Sequence, residues 1–90
     1  MNTEKANTNT VLFELWAGIE RLAGCKHLQV EMLNTQATIG DALQVLQQKH
    51  PTLHDAIERC ACAVGDTIVR RNAPLPSNQA IVLLPQVSGG

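Results

Sequence analysis

Three sets of residues in this chain are of types that do chemistry: the ending Gly89-Gly90 with its carboxylate, the thiols Cys25, Cys60 and Cys62, and the imidazoles His50 and His54. A carboxylate is a poor electrophile until it carries a leaving group. Two glycines would let it thread a narrow channel where a Cβ would clash, and they suit an idle frayed end equally well. Ser88 precedes them, but no histidine lies near it in sequence, so it reads as a small spacer rather than a nucleophile. His50 and His54 at i, i+4, followed by Cys60 and Cys62, are four potential metal ligands. Pro51 interrupts the helical geometry that spacing needs, and Cys-x-Cys on a strand points both thiols to one face, usually the buried one. The expectation is core cysteines, surface histidines and no metal. Neither Cys60 nor Cys62 opens an expected helix whose positive end would activate a thiol, which argues against a redox role. An odd number of cysteines fits a reducing compartment better than a disulfide scaffold.

The chain has no Gly-x-x-x-x-Gly-Lys phosphate loop, no Gly-x-Gly-x-x-Gly turn and no Gly-x-Ser-x-Gly elbow. Activation of its carboxylate by ATP would therefore fall to a partner. A net charge of −1 from scattered acids and bases, with Phe13 and Trp16 as the only aromatics, excludes a basic stripe or a stacking platform for nucleic acid. No apolar run approaches the roughly 20 residues that span a bilayer, and residues 1–10 lack the apolar centre of a signal peptide. A soluble, cytoplasmic protein with no membrane partner is expected.

These groups need elements to position them. Residues 10–17 alternate as a strand with Val11, Phe13 and Leu15 on one face and Leu12, Glu14 and Trp16 on the other. Residues 18–24 give one or two helical turns closed by Gly24, and residues 27–32 a second strand, antiparallel to the first, with Leu28, Val30 and Met32 inward. Thr38 and Asp41 resemble a capping box ahead of a helix over residues 39–49, with Ile39, Ala42, Leu43 and Leu46 on its core face and Asp41, Gln44, Gln47 and Gln48 opposite. His50-Pro51 ends that helix, and residues 51–59 form a turn or short helix holding Leu53 and Ile57. Strands at residues 61–64 and 67–70 flank a Gly65-Asp66 turn, a proline-rich loop follows, and residues 80–84 form the last strand.

This order predicts an α+β domain: a mixed sheet with one main helix packed on one face. The first and last strands, the most apolar, should lie side by side and parallel in its centre. Residues 1–10 are a polar leader expected to be flexible, residues 11–84 the domain, and residues 85–90 an extended tail. Trp16, out of phase with the core positions, is either part of an exposed binding patch or buried under loops. Leu84 is likewise out of phase with Ile81 and Leu83.

Residues 15–24, Leu15-Trp16-Ala17-Gly18-Ile19-Glu20-Arg21-Leu22-Ala23-Gly24, resemble the first strand and turn of the small subunit of molybdopterin synthase, the MoaD-type ubiquitin-like sulfur carriers. Residues 81–90, Ile81 through Pro85-Gln86-Val87-Ser88-Gly89-Gly90, resemble that family's ending. Gln86 departs from the family's usual second proline. The resemblance spans residues 11–90 and implies a ubiquitin-like β-grasp fold. It implies a sulfur carrier that binds no cofactor itself. A MoeB-type, E1-like adenylyltransferase would use ATP to adenylate Gly90, and sulfur would convert it to a thiocarboxylate. A MoaE-type large subunit would then spend that sulfur on cyclic pyranopterin monophosphate within a heterotetramer. Gly89 and Ser88 would give the tail clearance, and Trp16, Ile68, Leu84, Pro85 and Val87 would bind the partners. Three rivals stand beside this reading: a carrier feeding thiazole or another sulfur product, a protein modifier joined to lysines, and a non-catalytic β-grasp interaction module.

Overall fold

The computed structural model describes residues 9–33 and 37–85. Strand β1 (Asn9–Leu15) buries Val11, Phe13 and Leu15 and turns Leu12 outward, as a period of two requires. The expected extension of this strand to residue 17 fails for a backbone reason. Ala17 has a φ of 52°, in the left-handed region, so the chain swings away and Trp16 becomes the N-cap of helix α1 (Ala17–Ala23). Gly24 closes α1 with φ 79°, its N–H bonded to the Glu20 carbonyl, a position that favours glycine. Strand β2 (His27–Met32) then returns antiparallel to β1, burying Val30 and Met32 with Leu28 half-buried.

Helix α2 (Ile39–Lys49) opens with a complete capping box. The Thr38 hydroxyl accepts from the Asp41 N–H at 3.2 Å while the Asp41 carboxylate accepts from the Thr38 N–H at 2.9 Å. Removing the hydroxyl in Thr38→Ala should lower stability by about 1 kcal/mol, read as a shifted denaturation midpoint with unchanged slope. The Ile39 and Gly40 N–H groups bond instead to the Ala73 and Arg71 carbonyls, at 2.9 and 2.7 Å. A Cβ on Gly40 would stand 3.2 Å from that Arg71 oxygen, so the loop is drawn against the helix at a residue without one. A bridge from Thr38 to Pro74 fixes the same junction.

Ile39, Ala42, Leu43 and Leu46 are buried as their spacing predicts, but Gln47, expected on the outer face, is buried too. The cause is tertiary. A 3-10 turn (Pro51–Leu53) and helix α3 (His54–Arg59) fold back beside α2, and Gln47 Nε2 donates to the His54 carbonyl at 3.2 Å and to Glu58 Oε2 at 2.8 Å. Its polar end is thus satisfied under cover.

Strands β3 (Ala61–Val64) and β4 (Thr67–Val69) form a hairpin, and β5 (Ile81–Leu84) completes a five-stranded sheet ordered β2-β1-β5-β3-β4. Strands β1 and β5 are parallel and every other pair is antiparallel. The central β5 and its parallel neighbour β1 are the arrangement expected from their apolar character. Helices α1, α2 and α3 contribute to one core with Phe13, Leu15, Ile81 and Leu83, which leaves the opposite face of the sheet uncovered by helix. α2 is the main helix, and the two short ones extend the same layer.

Candidate functional site

Strand register determines what the helix-free face displays. Since Phe13, Leu15, Ile81, Leu83 and Cys62 point into the core, their neighbours point out: Glu14 pairs with Val82, Val82 with Ala63, and Ala63 with Ile68. One row therefore crosses β1, β5, β3 and β4, with the Leu84–Ala61 pair in the next row. Ile68 is 64% exposed and Leu84 half-buried, so the face ends in unpartnered aliphatic surface. Val82 and Ala63 belong to this face although sequence reading did not single them out. The alternation that exposed Leu84 would have found Val82.

Trp16 stands at the corner where β1 ends, 45% exposed. Its indole N–H donates to Glu14 Oε2 at 2.7 Å, and Lys26 Nζ lies 5.3 Å from the ring centroid, a cation–π contact. Lys26 is in turn 3.8 Å from Glu20 Oε1. The ring is thus held in orientation yet presents area to solvent, which decides between the two readings of this tryptophan in favour of exposure. Pro85 behaves differently from its neighbour. It follows Leu84 on the other side of the strand and lines one groove with Gly18, Ile19, Leu22, Ala56 and Arg59 between α1 and α3. The structure therefore gathers Ile68 and Leu84 on one face, sets Trp16 at its corner, and places Pro85 apart. Val87, Ser88, Gly89 and Gly90 lie outside the described residues.

The thiols form a second cluster. Cys60 and Cys62 are both buried, and Cys25 is exposed. Arg71, brought in from the loop after β4, donates from Nη2 to the Ile57 and Cys60 carbonyls at 2.8 and 2.9 Å and stands 3.9 Å from Cys60 Sγ. Hydrogen bonding from Cys60 and the Arg71 charge draw the Cys62 thiol down to about 7 against the opposing effect of burial. Cys60 moves the other way, chiefly through its hydrogen bond with Cys62 and through burial. Sequence reading looked for an activating helix end and missed a guanidinium supplied by tertiary contact. Among the described residues no three His, Cys, Asp or Glu side chains converge as metal ligands, so His50 and His54 do not join the thiols. No helix among them is long and apolar enough to cross a membrane.

The described geometry presents an aliphatic sheet face with an oriented tryptophan at its corner and a central strand that leads toward the Gly-Gly segment of the sequence. Such a β-grasp domain is a ubiquitin-like module. Residues 15–90 match the ThiS family, and the chain belongs to that family. Over 62 residues it is 34% identical to the molybdopterin synthase sulfur carrier subunit of Mycobacterium tuberculosis, spanning 69% of this chain and 74% of that one. Its fold is shared with small archaeal modifier protein 1 of Haloferax volcanii at a TM-score of 0.77 and 23% identity, covering 91% of this chain and all of that one, 100%. The subunit 1 and 2 complex of the molybdopterin-converting factor from Helicobacter pylori contains the same fold, at a TM-score of 0.60 and 24% identity over 91% of this chain and 100% of the matched chain. The MoaD-type resemblance read from the two ends of the sequence, and the β-grasp fold it implied, are borne out.

Proposed function

We propose that this chain is the sulfur-donating small subunit of a molybdopterin synthase. The observation that carries the reading is the route of β5. The strand is hydrogen-bonded on both sides, by β1 and β3, so it is a rigid stem from which the chain runs directly into Pro85 and the Gly-Gly ending. The identity with the Mycobacterium tuberculosis carrier subunit supports the choice of acceptor.

In this reading the Gly90 carboxylate attacks the α-phosphate of ATP on a MoeB-type, E1-like partner and releases pyrophosphate. A persulfide sulfur then displaces AMP to give an acyl disulfide, and a thiol reductant attacks the donor-side sulfur of that disulfide, which leaves the thiocarboxylate on Gly90 and a disulfide between donor and reductant. From Pro85 to Gly90 an extended chain reaches roughly 20 Å, enough to enter a buried site on a MoaE-type large subunit while the domain stays outside. There the sulfur passes to cyclic pyranopterin monophosphate on its way to the dithiolene. The carrier's own residues do the docking: Ile68 and Leu84 on the sheet face, Trp16 at its corner, and Pro85 and Val87 along the tail.

The test is reconstitution. Incubation with ATP, the activating enzyme, a sulfur donor and a thiol reductant should replace one oxygen of the chain by sulfur in an intact mass spectrum. The product should then turn over with the large subunit and cyclic pyranopterin monophosphate, and not with a thiazole-forming acceptor. Turnover confined to the thiazole acceptor would refute the proposal. Trp16→Ala should weaken association with the large subunit by more than about 1 kcal/mol in calorimetry, because an oriented aromatic at an interface is a typical hot spot. Unchanged affinity would remove Trp16 from the interface.

A further inference from the structure

Cys60 and Cys62 are buried nucleophiles for which the carrier reading has no use. Cys60 ends α3 in an extended conformation, with φ −80° and ψ 157°, and Cys62 follows in β3. Two residues of extended chain advance by roughly 6.6 Å and return to the same face. That separation lies at the upper end of the roughly 4.4–6.8 Å that a disulfide spans between Cα atoms, so the two thiols can join with some strain. Strained bridges are the easily reduced, reversible kind. A groove of about 400 Å³ reaches both thiols, and its lining includes Arg70, Arg71 and Asn72. Arg71 is tied to the Ile57 and Cys60 carbonyls with Nη2 3.9 Å from Cys60 Sγ, where its charge favours a thiolate. Arg70 is exposed, and among the described residues its guanidinium has no ion pair or side-chain hydrogen-bond partner. Two cations beside two thiols select a small thiol-reactive molecule that is negatively charged.

We propose that this groove binds an anionic low-molecular-weight disulfide, which oxidises Cys60 and Cys62 to a reversible intramolecular disulfide. Cys62, whose thiol is the one drawn down, is the nucleophile. Its thiolate attacks one sulfur of the small disulfide and breaks the S–S bond. One small thiolate leaves and takes up a proton, and Cys62 carries the other half as a mixed disulfide. The Cys60 thiol then gives up its proton and attacks the Cys62 sulfur, and the second small thiolate leaves and is protonated. The pair loses two electrons and two protons, and the small disulfide gains both as two thiols. Closing the bridge draws in the start of β3. That strand sets Ala61 opposite Leu84 and Ala63 opposite Ile68, so the strain enters the strand that supports the outer face of the sheet.

The experiment uses the complete, folded chain without partners, carrying Cys25→Ser to remove the exposed thiol, and glutathione disulfide as the anionic probe. After alkylation of any remaining thiol, the expected product is two hydrogens lighter than the reduced chain and unalkylated. Peptide mapping should join Cys60 to Cys62, and dithiothreitol should restore both thiols. Cys60→Ser should stop at the mixed disulfide on Cys62, and Cys62→Ser should react at least about tenfold more slowly. Cystamine, a cationic disulfide, is the comparison probe. Arg70→Glu, at an exposed position, should lower the ratio of the glutathione disulfide rate to the cystamine rate by about tenfold. The parent reaction and this ratio decide the proposal even where a cysteine variant fails to fold. Absence of the Cys60–Cys62 bridge overturns it, as does an unchanged ratio. Oxidation whose rate climbs with urea below the unfolding transition overturns it too, by making unfolding the route to the thiols. None of these measurements involves activation, so they stand or fall apart from sulfur loading.

Discussion

A chain lacking Gly90 should gain no sulfur when incubated with ATP, an E1-like activating enzyme, a sulfur donor and a thiol reductant, under conditions where the parent chain is expected to exchange one oxygen for sulfur in its intact mass. The expected loss is complete, because Gly89 would leave the new carboxylate one residue, about 3.5 Å, short of its place in the partner's site. Folding should be unaffected. Among the described residues every core side chain lies between Val11 and Leu83, so the deletion removes nothing that this core uses. Thermal unfolding of the shortened chain should therefore match the parent. Gly89→Val is the companion variant, since it keeps the carboxylate in register and adds only bulk. It should load sulfur at a much reduced rate. Full loading of the chain without Gly90 would contradict the assignment of the reactive group.

Phe13→Ala should destabilise the domain by about 3–5 kcal/mol, a large share of the 5–15 kcal/mol typical of a whole domain. Phe13 is completely buried, is the only phenylalanine in the chain, and lies on β1 between Leu28 of β2 and Ile81 of β5. Its removal leaves a cavity between the two strands that β1 joins, where backbone pairing on both sides resists collapse. Urea denaturation measures the loss. The neighbouring Leu12→Ala serves as the control, because Leu12 is 46% exposed and faces the other way, so it should shift stability by less than about 0.5 kcal/mol. A comparable effect from both variants would contradict the observed orientation of β1.

Much of this fold was legible because local signals agreed. Ile39, Ala42, Leu43 and Leu46 repeat at helical spacing behind a Thr38–Asp41 cap, and Val11, Phe13 and Leu15 alternate in a strand. The parallel pairing of β1 with β5 followed from their apolar character and from the resemblance. What escaped was set by partners distant in sequence. Gln47 carries no sign that α3 will cover it, and Arg71 none that it will reach the Cys60 thiol. Trp16 was read as a strand residue because no residue type announces the left-handed backbone of Ala17. The separation of Leu84 from Pro85 is a consequence of strand alternation, but its meaning depends on where α1 and α3 pack. Of the candidate site, sequence reading found Trp16, Ile68 and Leu84, and missed Val82 and Ala63 beside them.

The central position of β5 also bears on how the domain assembles. The β1–β2 and β3–β4 ribbons each join strands close in sequence and can form early, whereas β5 must bridge them, and its pairing with β1, Phe13 opposite Ile81, spans most of the chain, the slow kind of contact. Until it inserts, Leu83 and Ile81 are missing from the core and the rows of the outer face are broken between β1 and β3. The strand that leads into Gly-Gly is therefore also the one that finishes the fold. A chain interrupted before Leu84 would lack the stem and the complete outer face of the sheet together, so the end of the chain and the surface beside it come into being in the same folding step.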